Sequence, residues 1–278
     1  MLDRRPDYCD LQIKLSRKAT VEILETDDDG VEFKTFLSTY DGWAVEFFQF
    51  MGIEYDLKGF YKKFYQAKDG SLVWARESDN DDKVSLQFKG SHFLRTDWQS
   101  QFTKAISFFK SRNIKFHPSR WDVGILFLTK NEQDLYRLIV DKEKWPQMRC
   151  HYQFETKFDA GFIAKHSRLE VAFYNKHRQV EEVKSGTTYK ELLLEVLKMT
   201  ALPTNLIKCD IRIRQKDQTR IITQLLMADE INFEAIEGVV LQKCLNKTKM
   251  GRTLRKYLGL SKIIRKRIPF IKTRRNKS

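Results

Sequence analysis

Apolar and polar residues alternate with a period of two, in whole or in part, over Val31–Leu37, Trp43–Phe48, Ser71–Glu77, Lys83–Lys89, Trp121–Leu128, Gln147–Lys157, Arg168–Lys176 and Leu206–Arg214. That period predicts β-strands. Apolar residues recur every three or four positions over Leu57–Ala67, Trp98–Arg112, Asn131–Glu143, Tyr189–Thr200 and Thr219–Met227, which predicts helices, with Thr96 or Asp97 and Asn131 as N-caps. The expected fold class is α+β: a largely antiparallel sheet with helices packed on one face. Trp43, Trp98, Trp121, Phe108 and Phe109 fall at core positions, which makes packing their expected role.

Alternation also states which side chains share a surface. On Arg120–Leu128, Trp121, Val123, Ile125 and Phe127 make one face, and Arg120, Asp122 and Gly124 the other. Leu169, Val171 and Phe173 oppose Arg168, Glu170, Ala172, Tyr174 and Lys176, while Cys209, Ile211 and Ile213 oppose Lys208, Asp210, Arg212 and Arg214. If the three strands share a sheet, its polar face gathers Asp122, Glu170, Asp210 and Tyr174 among several cations. Such a face is also what the solvated side of an ordinary antiparallel sheet displays. Carboxylates can instead hold a divalent metal through oxygen, clustered cations suit a phosphodiester, and a tyrosine beside them can attack phosphorus to leave a covalent link.

Charge divides the chain in two. The 278 residues carry a formal net charge of +14, yet no acid follows Glu237, and the 14 Lys and Arg beyond it leave residues 1–237 with 37 bases against 37 acids. A neutral domain, 1–237, followed by a basic nucleic-acid-binding tail, 238–278, is the expected organisation, because clustered cations gain affinity by releasing counterions from a phosphate backbone. Arg252, Arg255, Lys256, Arg265, Lys266, Arg267, Arg274 and Arg275 are its candidate DNA contacts. Leu254, Leu258, Ile263 and Ile264 interleave with these cations as in a membrane-surface helix, but Gly251, Gly259 and Pro269 interrupt it, and no membrane partner is expected. No apolar run of eighteen residues and no secretory leader are present, so the expected location is the cytoplasm. The four cysteines stand far apart without a Cys/His cluster, and no Gly-rich phosphate loop stands out, which argues against a zinc ribbon and a nucleotide hydrolase. The five histidines include no His-x-His pair.

The order of segments Asp41-Gly42-Trp43-Ala44-Val45-Glu46-Phe47-Phe48, Val84–Gly90, Asp97-Trp98, Arg120-Trp121-Asp122-Val123-Gly124-Ile125, Gly161–Ser167, Arg168–Lys176 with its Tyr174-Asn175-Lys176 end, and Lys208-Cys209-Asp210-Ile211-Arg212-Ile213 resembles the Rep_trans-type replication initiation factors of rolling-circle plasmids, phages and integrative elements. The likeness spans roughly Asp41 to Asn232. It implies a protein that nicks one origin strand by metal-assisted tyrosine attack, leaving a 5′-phosphotyrosyl link and a free 3′-hydroxyl primer. By position, Tyr174 is the implied nucleophile, with Tyr152 next in line, and Asp122 and Asp210 with Glu170 are the implied ligands of Mg2+ or Mn2+. Arg168, Lys176 and Arg212 would position the DNA backbone. Origin-hairpin DNA is the implied partner, and a host helicase and a second copy of the chain are further partners considered. The chain departs from the family pattern at Leu126, where a second acid is usual, and at Ala172, where an arginine is common. These departures keep open a non-catalytic, DNA-binding or regulatory alternative on the same scaffold.

Overall fold

The computed structural model describes residues 2–15, 22–26, 32–36, 39–59, 62–76, 83–129, 149–153, 161–166, 169–182, 187–213 and 216–246. Its strands are β1 (Asp3–Lys14), β2 (Glu22–Thr26), β3 (Glu32–Phe36), β4 (Tyr55–Lys58), β5 (Phe64–Ala67), β6 (Leu72–Arg76), β7 (Lys83–Phe88), β8 (Lys115–Leu128), β9 (Arg149–Gln153), β10 (Gly161–His166), β11 (Leu169–Asn175) and β12 (Leu206–Ile213). The helices are α1 (Thr39–Met51), α2 (Gly90–Leu94), α3 (Trp98–Ser111), α4 (Lys176–Glu182), α5 (Thr187–Leu197), α6 (Lys216–Met227) and α7 (Phe233–Asn246). The predicted helix Asn131–Glu143, Arg168 and the tail beyond Asn246 lie outside the described residues.

Ten strands form one sheet in the order β4-β5-β6-β7-β1-β8-β12-β11-β10-β9, and β2 and β3 pair separately. Every pairing is antiparallel, as the alternation predicts. One face is apolar: Cys9, Leu11 and Ile13 of β1, Trp121, Val123 and Ile125 of β8, and Cys209, Ile211 and Ile213 of β12 are buried there, beneath residues of α1, α3, α6 and α7. A smaller cluster (Leu94, Leu126, Val180, Leu193, Leu202, Leu206) joins α2, α4 and α5 to one end of the opposite face. The charge boundary at Glu237 falls inside α7, which buries Val239, Val240 and Leu241 beyond it.

Two segments differ from their predicted form. Trp43–Phe48, read as a strand, lies in helix α1, where Tyr40, Trp43, Ala44, Phe47, Phe48 and Met51 repeat at helical spacing and are all buried. Leu57–Ala67, read as a helix, is the β4–β5 hairpin, which turns through Gly59 at φ +87°, a conformation that disfavours any side chain. Asp97 stands at the N-cap of α3, but its carboxylate accepts from Arg95 Nε and Gln101 Nε2 rather than from the helix backbone.

Phe47 anchors α1 to the core. Its ring meets Phe108 edge-on at 5.3 Å, stacks on Phe109 at 5.7 Å and lies 5.3 Å from Trp74 of β6. Phe47→Ala is expected to lower the unfolding free energy by about 3–5 kcal/mol, read as a shift of the urea midpoint; a loss below about 1 kcal/mol would contradict this packing.

Candidate functional site

The polar face is built across β1, β8, β12 and β11, and the register sets its rows. Arg212 lies opposite Asp122 on one side and Glu170 on the other, Asp210 lies between Gly124 and Ala172, and Lys208 pairs with Tyr174. Asp122, Asp210, Glu170, Tyr174, Lys208 and Arg212 therefore converge as alternation predicts.

Asp7 was not legible in that way. The register of β1 on β8 shifts between Pro6 and Tyr8. Asp7 is the extra residue of this β-bulge, and the bulge turns it toward the same face as its neighbour Tyr8. Its carboxylate forms an ion pair with Lys208 Nζ. Gly124 makes room for this contact, since a Cβ there would lie 2.8 Å from Lys208 Cε and 3.2 Å from Asp7 Cβ.

The Arg212 guanidinium occupies the centre of the acids. It pairs with Glu170 through Nη1, and its Nε and Nη2 lie 3.4 Å from Asp122 Oδ2 and 3.5 Å from Asp210 Oδ2. Arg120 holds Asp122 from the other side, with Nε 2.8 Å from Oδ1, and stacks over Tyr8 at 4.3 Å. Lys208 Nζ bridges Asp7 and Asp210, lying 3.3 Å from Asp210 Oδ1. Tyr174 donates its hydroxyl hydrogen to Asp210 Oδ2 at 2.9 Å. The network is largely enclosed: relative exposure is 1% at Asp122, 3% at Asp210, 4% at Lys208 and Lys176, and 8% at Glu170. Arg120 and Arg212 keep side-chain exposures of 22% and 21%, so they are the cations at its open edge.

Enclosure shapes the titration of these groups. Burial pushes Asp122 up to about 6, against the opposing pull of Arg120. Burial, then the charge of Asp210, raises the Tyr174 phenol well above its ordinary range. Burial works against the charge of Lys208, but Asp210 and Asp7 hold its ammonium well above the usual lysine range. For Asp7 the balance is similar: burial opposes its charge, and Lys208 and Lys176 keep it low.

Lys176 is the first residue of α4, directly after the strand that carries Tyr174. Asn175 accounts for this placement, because its Oδ1 accepts from the Arg178 backbone N–H at 3.0 Å, an N-cap that starts the helix there. Lys176 Nζ donates to Gln179 Oε1 at 2.6 Å and lies 4.3 Å from the centre of the Tyr189 ring. It does not reach outward as a surface DNA contact would. Burial, then the charge of Lys208, pushes it down to about 7.

The acids expected to bind Mg2+ or Mn2+ are thus together, but they converge on a guanidinium. A divalent ion with six or more oxygen ligands would have to displace Arg212. Among the described residues, no group of three His, Cys, Asp or Glu side chains is arranged to hold a metal. The residues as placed do not fit the ion.

Also among the described residues, no helix is long and apolar enough to cross a membrane. No family model matches the chain, and no curated protein matches it. Among solved structures, the chain is similar to a rolling circle replication initiator protein from Geobacillus stearothermophilus, at 13% identity and a TM-score of 0.48, over 96% of this chain and 100% of that one.

Proposed function

We propose that this chain is a cytoplasmic DNA-binding protein that initiates replication by nicking one strand, with Tyr174 as nucleophile. The observation that carries this reading is the 2.9 Å hydrogen bond from Tyr174 Oη to Asp210 Oδ2, beside the Lys208 ammonium. A phenol with a raised pKa attacks phosphorus only if a base takes its proton during attack, and Asp210 stands at the required distance. Charge on the phosphoryl oxygens is met by fixed cations: Lys208, and the forked Arg212 and Arg120 at the open edge. In this reading Arg212 supplies the positive charge that the sequence resemblance assigns to a metal. Stability alone explains such a network poorly, because buried ion pairs add little net stability over apolar packing of the same volume.

The test incubates the full chain with single-stranded oligonucleotides covering the hairpins of the DNA that encodes it, with Mg2+, with Mn2+ and with chelator. The expected result is a protein band carrying covalently attached DNA that persists in chelator. An adduct that appears only with metal would show that the acids release Arg212 to an ion. Tight binding without an adduct on any strand would overturn the nicking reading.

That last outcome describes the second reading, a non-catalytic DNA-binding or regulatory protein. The enclosure of the network favours it, since Tyr174 and each acid already have partners within the fold.

Either reading assigns the tail to DNA affinity. Removal of residues 247–278 leaves α7 whole and takes away 13 of the 14 bases that follow Glu237. DNA binding of the shortened chain is expected to weaken, with a flatter dependence on salt concentration. An unchanged slope in a salt titration would remove the tail from the interface.

A further inference from the structure

The polar face continues along β1, past the acid network, to the far end of that strand. Tyr8, Asp10, Gln12 and Lys14 alternate there with the core residues Cys9, Leu11 and Ile13. At that end the register sets three lysines side by side, because Lys14 lies opposite Lys83 of β7 and opposite Lys115 of β8. All three are exposed. Each also adjoins a core residue of its own strand, Ile13, Val84 or Phe116, so all three stand on the polar face. Neighbouring strands lie about 4.8 Å apart, which makes the row about 10 Å across. Like charges directly opposite one another destabilise a sheet. Among the described residues none of the three lysines makes an ion pair or a side-chain hydrogen bond, so the fold carries this repulsion without compensating it.

Cations also mark the other end of this stretch. Lys89 of β7 donates to a neutral amide, Gln87 Oε1, at 2.6 Å, and its Nζ lies 5.1 Å from the centre of the Tyr8 ring. Arg120 covers the same ring at 4.3 Å and leads on to Arg212 at the open edge of the network. Asp10 is the acid of β1 between the two ends, and it accepts from Ser85 Oγ at 2.7 Å. From Lys14 to Tyr8 the extended chain covers about 20 Å.

Resting on the DNA binding that both readings share, we infer that Lys14, Lys83 and Lys115 hold the phosphates of a single DNA strand that runs along β1 to the open edge at Arg120 and Arg212. Charge complementarity selects the partner. A row of uncompensated cations suits an anion whose charges repeat at short intervals, and binding releases the counterions of that anion. Enclosure selects the single strand, because acids only 1–8% exposed are approached at their edge by one strand and not by the width of a duplex. At a rise of about 3.4 Å per nucleotide, the distance along β1 corresponds to about six nucleotides, and to fewer in an extended strand. The row is thus a hold on DNA within the sheet itself, separate from the basic tail.

The experiment measures binding of the full chain to a fluorescein-labelled single-stranded oligonucleotide from a hairpin of the DNA that encodes it, by anisotropy across a range of salt concentrations. Lys14→Gln/Lys83→Gln/Lys115→Gln is compared with wild type and with a charge-matched control, Lys58→Gln/Lys62→Gln/Lys63→Gln, in the β4–β5 hairpin at the edge of the sheet. Each single-strand phosphate contact contributes about 0.7 to the log–log salt slope, so losing three should flatten it by about 2 and weaken binding about 100-fold at about 0.1 M salt. The control should bind near the wild-type affinity. Thermal unfolding of the row variant should be unchanged or raised, since the repulsion among the lysines is relieved. Trimming about six nucleotides from one flank of the oligonucleotide should remove the difference between wild type and the row variant. Equal losses in the two triple variants, an unchanged slope in the row variant, or a difference that survives trimming of either flank would overturn the inference. Wild-type protein that binds no single-stranded DNA would instead remove the DNA-binding reading, and this inference with it.

Discussion

Replacing Tyr174 with phenylalanine is expected to eliminate the covalent protein–DNA product while leaving a folded, DNA-binding chain. The substitution removes one hydroxyl and its hydrogen bond to Asp210 Oδ2. Asp210 keeps Lys208 at 3.3 Å and Arg212 at 3.5 Å, so the fold loses only about 1–2 kcal/mol. Chemistry loses everything, because no other atom of that side chain can form an ester with phosphorus. Denaturing gel electrophoresis of labelled oligonucleotide measures the adduct, and thermal unfolding measures the fold. An adduct at wild-type yield would move the nucleophile elsewhere, with Tyr152 on β9 and Tyr189 on α5 as the next tyrosines to change.

A large and pH-dependent stability effect is expected at Arg212. Arg212→Met should lower the unfolding free energy by about 3–5 kcal/mol at pH 7.5, since Asp122, Glu170 and Asp210 would stay buried without the guanidinium that lies among them. The sign of its pH dependence follows from Asp122. That carboxyl titrates near 6 in the folded chain against an ordinary value of 3.8, so its contribution is fully present below the ordinary value and is lost as pH rises through about 6. Removing Arg212 moves the acids further in this direction. The deficit of the variant relative to wild type should therefore shrink as pH falls from 7.5 toward 5, where protonation neutralises the stranded acids. Urea unfolding at both pH values checks this, and a deficit that grows on acidification would contradict the central position of Arg212.

Much of this arrangement was legible in the sequence, for a simple reason. Where a strand buries one side only, a period of two states which residues face together, and Asp122, Glu170, Tyr174, Lys208, Asp210 and Arg212 follow that rule. Trp121, Phe108 and Phe109 were likewise placed correctly in the core. Failure came where the period was ambiguous or broken. Trp43–Phe48 is apolar at nearly every position, and a segment buried almost all round carries no directional signal, so strand and helix fit it equally. Leu57–Ala67 has apolar residues at helical spacing, yet Leu57 and Phe64–Ala67 belong to two short antiparallel strands, a reversal that spacing alone does not signal. Asp7 defeats the rule in another way: a bulge adds one residue, so Pro6 and Cys9, three apart, both point into the core while Asp7 and Tyr8 both leave it. The role of Arg212 was out of reach for a deeper reason, since alternation assigns a face but does not say whether acids on it enclose a space or a neighbour's side chain.

The place of β1 in the sheet bears on how the protein is made. Its residues are synthesised before those of both strands that flank it, yet they hydrogen-bond to β7 on one edge and to β8, more than a hundred residues later, on the other. This first strand joins the β4–β7 half to the β8–β12 half by backbone pairing. Until Leu128 has been synthesised, it has no partner on the β8 side, and folding must wait on a closure of high contact order, which is slow. Nascent chains halted before that point would carry an open strand edge lined by Cys9, Leu11 and Ile13, a template for pairing with other chains. Synthesis rate and chaperone supply, rather than final stability, would then set the yield of the finished protein.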